Sequence, residues 1–204
     1  MRTRPLATLV PLVAVICCAL TTQAAAPSSP PLTIGVAKLD ITPDYPIRMN
    51  GFLVRKSESL GVRQQVWAKA LAFGTDAEDV AVLITVDTLG IPEEITAEIA
   101  KRLQAKHGMP PKNLCITASH SHTAPMINGC APNIFGEPIP AADQAHIDRY
   151  TLEFTDKLEQ VALAALDDRR EATLHWGIGQ VSFAKNRRDK HGPIDHDLPM
   201  LVVR

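Results

Sequence analysis

The sequence has few aromatic residues and almost no net charge. Aromatic residues make up 4% of the 204 residues, hydrophobic residues make up 46%, and the formal net charge is -1 at pH 7. This composition is typical of a folded soluble protein and not of a disordered one. Because a near-neutral chain has no excess of cations to neutralise a phosphate backbone, we expect no nucleic-acid partner.

The chain also lacks a long hydrophobic run. Its most apolar stretch, residues 6–20, is shorter than the roughly 20 apolar residues that a membrane-spanning helix needs, so no transmembrane segment is expected. Basic residues precede this stretch and a run of alanines follows it, which is typical of a secretory signal peptide. We therefore predict a signal peptide over residues 1–26, a linker over residues 27–31, and export to the periplasm or the cell exterior.

Cysteine is scarce as well. Two of the four cysteines, Cys17 and Cys18, fall within the predicted signal peptide, which leaves Cys115 and Cys130. In an oxidising compartment these two can pair. Cys115, however, lies in a predicted strand, where an unpaired cysteine acts as a small buried hydrophobic residue. We favour the unpaired interpretation.

Apolar segments separated by turn residues indicate alternating strands and helices. The segments LTIGVAKLDITP, VWAKALAFG and DVAVLITVDTLG predict three strands, the last covered on both faces. The next segment, IPEEITAEIAKRLQAKHG, has proline and acidic residues in its first turn and ends at Gly108, which predicts a helix. LCITA follows as a second buried strand, so we expect a right-handed parallel crossover.

The second half of the chain continues this pattern. A loop over residues 125–140 is followed by a predicted helix over 141–166, a strand at TLHWGIGQVSF and the start of another at MLVVR. We predict an α/β fold with a mixed, largely parallel sheet flanked by helices. Because MLVVR stops without the turn residues that normally end a strand, we expect residues 32–204 to be an incomplete part of a larger domain, truncated at its C-terminal end.

Two histidines form the most distinctive motif, ASHSHTAP. His120 and His122 directly follow a predicted buried strand, and ligands of open α/β sheets gather at the carboxyl ends of the strands. Residues i and i+2 of an extended segment point to the same side, and imidazole is the commonest protein ligand of zinc. On spacing alone, two exposed loop histidines without a metal are the preferred interpretation; the placement at a strand end, before a proline-containing loop, makes a metal site equally favoured. Asp87 is a candidate for orienting a ligand imidazole or for capping the next helix, and capping is the preferred interpretation.

Seven short segments occur in an order that resembles a known family. They are GVAKLDITP, MNGF, WAKAL, VDTLGI, ASHSHTAP, KNRR and GPIDHDLPMLVVR. The series resembles the N-terminal part of the neutral/alkaline non-lysosomal ceramidase family and covers most of the chain after the predicted signal peptide. The resemblance implies a zinc-dependent amidase that acts on linear amides, with zinc as its cofactor and the N-acyl bond of a ceramide-like lipid as its target.

The resemblance also implies roles for individual residues. His120 resembles the family's first zinc ligand, and His122 resembles a pocket residue that hydrogen-bonds the substrate or the developing oxyanion. Asn186 and Arg187 resemble an Asn-Arg pair that binds the substrate's acyl or carboxylate group, a role suited to a guanidinium. From the residues alone, Arg187 is a surface cation. Departures from the family pattern at Thr123-Ala124 and at Arg188 leave the substrate open.

The remaining zinc ligands implied by the resemblance, a second His, a Glu and a Tyr, would lie beyond Arg204. A catalytic zinc needs three protein ligands, so we expect this chain to be inactive by itself. A non-catalytic secreted fragment or binding module of the same fold is the alternative. A His-x-His amidohydrolase barrel is disfavoured because its motif would lie on the first strand, whereas three strand-like segments precede it here. The sequence gives no indication of the oligomeric state.

Overall fold

The structure is a computed structural model that describes residues 32–75 and 80–204. The predicted signal peptide and linker lie outside the described residues. Within the described residues, no helix is long and apolar enough to cross a membrane. The elements follow in the order β1 (Leu32–Asp40), β2 (Trp67–Phe73), β3 (Ala81–Val86), α1 (Glu93–His107), β4 (Leu114–Ala118), α2 (Ala141–Asp167), β5 (Arg170–Ala172), β6 (Leu174–Gln180) and β7 (Asp197–Val203).

Five strands form a mixed sheet in the order β4-β3-β2-β1-β5. The β3–β4 pair is parallel, as the strand-helix-strand pattern predicts, whereas β1–β2, β2–β3 and β1–β5 are antiparallel. The mixed α/β class is confirmed, but the expectation of largely parallel pairing is wrong for the described strands. A parallel connection needs a crossover of a dozen or more residues, and the link between β2 and β3 is too short for one.

The helices cover one face of the sheet. α2 packs against β1, β2 and β3, and α1 packs against α2. Alternate residues of β3, namely Val82, Ile84 and Val86, are buried beneath the helices, whereas Leu83 is half-buried and Thr85 is exposed. The expectation that β3 is covered on both faces is therefore wrong within the described residues. A continuous apolar run does not distinguish a strand buried on one face from a strand buried on two.

Helix α1 begins and ends where its sequence predicts. Pro92 precedes it, and acidic residues occupy its first turn, where they complement the positive end of the helix dipole. Gly108 has a φ of 74°, and its N–H donates to the carbonyl of Gln104. Because a residue without a Cβ adopts this left-handed conformation readily, glycine at this position ends the helix.

Helix α2 forms the centre of the core. Its apolar stripe, which steps by three and four residues, is almost fully buried and includes Ile147, Tyr150, Phe154, Leu158, Val161 and Ala165. The Tyr150 hydroxyl donates to the carbonyl of Ile41 at 2.9 Å. Burial raises the pKa of Tyr150 well above its usual range, so the phenol stays neutral and acts as a donor.

Two leucines on α2 provide a test of this core. Leu158 is 0% exposed and Leu152 is 69% exposed. We expect Leu158→Ala to lower the free energy of unfolding by about 2–5 kcal/mol, because it removes buried apolar surface and leaves a cavity. The matched control Leu152→Ala is expected to change it by less than about 0.5 kcal/mol. Urea denaturation measures both, and equal losses in the two variants would contradict the observed orientation of α2.

The last two strands form a separate antiparallel hairpin in which Leu174 lies opposite Val203 and Gln180 lies opposite Asp197. Both predicted strands are therefore confirmed. Residues opposite one another share a face, so Trp176 and Leu201 lie on one side and Met200 on the other, and all three are exposed. A two-stranded hairpin is only marginally stable in water, and both of its apolar faces lack cover within the described residues.

Both described cysteines are free, as the favoured interpretation expects. Cys130 is buried, and burial raises the pKa of its thiol. Cys115 is exposed, so the expectation that it is a buried hydrophobic residue is wrong. It lies on β4, which is the edge strand of the sheet, while the helices cover only one face.

Candidate active site

The two histidines of the ASHSHTAP motif lie just beyond the carboxyl ends of β3 and β4. Beyond the end of β4, the chain continues to form backbone hydrogen bonds with the end of β3 and the segment after it. The N–H of Ser119 donates to the carbonyl of Val86, and the N–H of Ser121 donates to that of Thr88, both at 3.0 Å. The parallel β3–β4 pair therefore brings His120 to the place where open α/β sheets gather their ligands.

His120 is held in a strained backbone conformation. Its φ is 56°, in the left-handed region, which costs a non-glycine residue about 1 kcal/mol or more; strained residues of this kind cluster at functional sites. Its Nδ1 lies 2.7 Å from the carbonyl oxygen of Leu89. Because a carbonyl can only accept, Nδ1 carries the proton, and in the neutral ring Nε2 keeps its lone pair. A metal-binding histidine uses this tautomer and this kind of backbone anchor.

His122 is anchored in the same way. Its Nδ1 lies 2.9 Å from the carbonyl oxygen of Gly51, and its ring meets the His120 ring edge to face with centroids 4.9 Å apart. Gly51 has a φ of 103°, and a Cβ added there would lie 2.7 Å from the His122 side chain. Only glycine fits at this position without displacing the imidazole. With Nδ1 donating to Gly51, the His122 Nε2 accepts when the ring is neutral and donates only when the ring is protonated.

Residues 48–55 form hydrogen bonds with the ASHSHTAP motif, residues 118–125, which we call the histidine segment. Asn50 is buried; its N–H donates to the carbonyl of Ala124 at 3.2 Å, and its side-chain amide donates to that of Cys130 at 2.7 Å. Arg55 donates to the carbonyl of His122 at 2.8 Å. No role for these residues is predicted from the sequence. The Asn50-Gly51 dipeptide was the available signal, because it is typical of a tight turn.

Arg48 connects this region to α2. Its guanidinium is buried, forms an ion pair with Asp143 at 2.6 Å and lies over the ring of Phe135 at 5.1 Å. Its carbonyl accepts from the N–H of Met126 at 2.8 Å. Through these two contacts, Arg48 joins the first turn of α2 to the residue that follows the histidine segment. Removing either partner of the buried ion pair would leave an uncompensated charge. This pair was not predictable from the sequence because its partners are 95 residues apart.

Asp87 has neither of the two roles considered for it. Its carboxylate accepts from the N–H of Trp67 at 3.0 Å, which fixes the start of β2. The N-cap of α1 is Pro92, and no side chain caps that helix, so the capping prediction is wrong. The imidazole of His120 is oriented by Leu89, so the prediction that Asp87 orients a ligand is wrong as well.

Asn186 and Arg187 lie in the loop between β6 and β7. The Asn186 side chain accepts from the N–H of Arg188 and of Asp189 at 3.1 and 3.0 Å, which shapes the loop locally. Arg187 is exposed and has no hydrogen bond or ion pair with another residue in the described ranges. In these ranges neither residue has a hydrogen bond, ion pair or ring contact with His120 or His122. Their roles in substrate binding therefore stay predictions.

A complete metal-binding group is absent from the described residues. Nowhere in residues 32–75 and 80–204 do three or more His, Cys, Asp or Glu side chains converge. His120 with its free Nε2 suits one ligand position.

Comparison with known proteins identifies the family. The sequence profile described as "Neutral/alkaline non-lysosomal ceramidase, N-terminal" matches residues 32–188, which is most of the chain. The chain belongs to this ceramidase family. The match includes the ASHSHTAP motif and the Asn186-Arg187 pair, so the resemblance drawn from the short segments is confirmed.

Two solved structures have the same fold as this ceramidase-family chain. One is titled "Ceramidase complexed with C2"; it is 20% identical, with a TM-score of 0.66 over 85% of this chain and 29% of that chain. The other is the neutral ceramidase from Pseudomonas aeruginosa, 20% identical, with a TM-score of 0.63 over 76% of this chain and 24% of that chain. The ceramidase-family chain thus spans less than a third of either protein. No curated protein matches it.

Proposed function

We propose that this chain provides part of a zinc-dependent hydrolase that cleaves the N-acyl amide bond of ceramide-like lipids. The observation that carries the proposal is the geometry of His120 in a chain of the ceramidase family. This imidazole stands at the end of a parallel strand pair, is anchored through Nδ1 on the Leu89 carbonyl, and keeps Nε2 free for a metal.

The fit to zinc is partial within the described residues. His120 is the proposed ligand, but a catalytic zinc needs three protein ligands, and the described residues contain no group of three. The other ligands would come from polypeptide outside these residues. We therefore propose that the described part is inactive by itself and that it supplies one ligand and part of the substrate pocket.

The chain's own residues have separable proposed roles. The metal would supply an activated water and polarise the amide carbonyl. His122, held by Gly51, would stabilise the developing oxyanion by donating from Nε2 when its ring is protonated. Arg187 has no partner in the described ranges, so its planar fork of donors is available for the substrate's acyl or carboxylate group, next to Asn186.

Arg187 provides the test of this assignment. We expect Arg187→Ala to lower the turnover of an N-acyl amide by about 10²–10³, with zinc content unchanged, because it removes one donor that acts in the transition state. The exposed cation Lys190 of the same loop gives the matched control, Lys190→Ala, which keeps near-normal turnover. Hydrolysis of a short-chain fluorescent ceramide analogue and zinc by atomic emission are measured on the same samples of native protein. An equal loss in both variants would contradict a specific role for Arg187.

A second candidate function is a non-catalytic binding module of the same fold. The observation that favours it is the lack of a three-ligand group in residues 32–75 and 80–204. The zinc content of the native protein discriminates between the two functions: stoichiometric zinc with amide hydrolysis supports the hydrolase, and a metal-free, inactive protein supports the module.

For either function we propose export through the signal peptide over residues 1–26, which would bring the protein to lipids outside the cytoplasm.

A further inference from the structure

Arg55 lies at the end of a turn that follows Gly51, and its side chain reaches back to the candidate active site. The N–H of Arg55 donates to the carbonyl of Phe52 at 3.1 Å, which closes the turn. Its guanidinium donates to the carbonyl of His122 at 2.8 Å. Arg55 is half-buried, whereas its neighbour Val54 is exposed. This contact is a strong one, because a hydrogen bond from a charged donor is roughly twice as strong as one between neutral groups.

The same guanidinium also covers the ring of Phe52. Its Cζ lies 4.9 Å from the ring centroid, which is within the range of a cation–π contact. The Phe52 ring in turn lies 5.1 Å from the imidazole of His122 and is tilted against it by 60°. Arg55 therefore acts on His122 in two ways, directly through the main chain and indirectly through the Phe52 ring.

The imidazole of His122 needs several contacts to be held in one orientation. The hydrogen bond of Nδ1 with the Gly51 carbonyl fixes one atom of the ring, and the ring can still tilt about that atom. The rings of Phe52 and His120, at centroid distances of 5.1 and 4.9 Å, limit this tilt. The hydrogen bond from Arg55 fixes the peptide group of His122 itself. Such restraint matters because a displacement of about 1 Å in a reacting group can cost about 10²-fold in rate.

We propose that Arg55 is a positioning residue that holds the His122 imidazole, through the carbonyl and the Phe52 ring, in the orientation that its role at the substrate requires. The effect on turnover rests on the proposed function, whereas the orientation of the ring does not. The neighbouring cation Lys56 provides a matched control, because it forms an ion pair with Glu137 at 2.9 Å.

Arg55→Met tests the positioning, because methionine keeps an unbranched apolar side chain and removes every donor. We expect kcat of the native protein for an N-acyl amide to fall by about 10–100-fold with KM within about twofold, because the substrate still binds but the imidazole is no longer held in one orientation. Lys56→Met is expected to keep the wild-type kcat. Arg55→Lys restores a cation and a donor without the planar fork, so it is expected to recover part of the lost turnover.

A second measurement needs no turnover. The native protein is labelled at the histidine Cε1 position with an NMR-active carbon isotope, and the His122 signal is assigned from a His122→Ala sample. The rings of Phe52 and His120 displace this signal from its position in an unfolded chain. At fixed pH, we expect Arg55→Met to move the His122 signal toward the unfolded position and to leave that of His107, on α1, in place. Lys56→Met is expected to move neither signal.

The outcomes separate the positioning from the proposed function. An unmoved His122 signal in Arg55→Met, or an equal change in Lys56→Met, overturns the positioning. A loss that appears in KM alone overturns it as well, because Arg55 would then bind the substrate directly. If the signal moves but the wild type hydrolyses no N-acyl amide, the positioning stands and the proposed function fails. Thermal melting checks that Arg55→Met remains folded, and Arg55→Lys gives the same comparison with a milder change.

Discussion

Replacing Gly35 by alanine is expected to lower the free energy of unfolding by at least about 3 kcal/mol. Gly35 lies in β1 beneath the end of α2, where a Cβ would fall 1.8 Å from the carbonyl oxygen of Ala165 and 2.8 Å from the backbone nitrogen of Arg169. Both distances are far inside van der Waals contact. Because both neighbours are backbone atoms, no side chain can rotate away, and the end of α2 would have to move off the sheet.

Gly177 provides the control for this prediction. It is also a strand glycine, in β6, but a Cβ added there meets no atom within 4 Å. Gly177→Ala is expected to change stability by less than about 1 kcal/mol, since alanine only restricts the unfolded chain there. Urea denaturation of both variants gives the comparison. A Gly35→Ala protein as stable as the wild type would show that β1 and α2 do not pack at this distance.

Replacing His120 by alanine is expected to lower zinc affinity of the native protein by more than about 100-fold. Losing a residue that merely orients a ligand already costs about 10–100-fold in metal affinity, and losing the ligand itself costs more. The Nδ1 of His120 is anchored on the Leu89 carbonyl, which leaves Nε2 for the metal. Amide hydrolysis should disappear together with the metal.

Two further variants separate metal ligation from local damage. His120→Asn also removes the imidazole but tolerates the φ of 56° better than alanine, so it should lose zinc to the same extent without backbone strain. His122→Ala alters the same segment and should retain zinc while losing turnover. The zinc content of each purified protein is measured by atomic emission. Full occupancy in both His120 variants would refute the ligand assignment, and with it the proposed mechanism.

Local signals in the sequence were sufficient for most of the secondary structure. Helix α1 was predictable because Pro92 and Gly108 act through their own backbone preferences, whatever surrounds them. The parallel pairing of β3 and β4 was predictable because a helix connects them. The family and the placement of His120 at a strand end followed from short motifs in a fixed order, and the family match over residues 32–188 confirms the first of these.

Properties that depend on distant partners were not predictable. The sequence analysis placed Cys115 in the interior and covered β3 on both faces, because an apolar strand does not reveal which of its faces a helix will cover. It also missed the buried pair of Arg48 with Asp143, whose members are 95 residues apart. Asp87 was assigned to the helix that follows it, whereas its carboxylate binds the N–H of Trp67 in the adjacent strand.

The sequence by itself determined most of the elements, though not the short strand β5, together with the family and the pair of histidines, since each depends on residues that are neighbours along the chain. Only the tertiary structure decided that Leu89 and Gly51 hold the two imidazoles through Nδ1, and that Phe52 and Arg55 contact His122. Hydrogen bonds and packing act over a few ångströms in space, and the partners concerned are separated by 31 to 71 residues of chain.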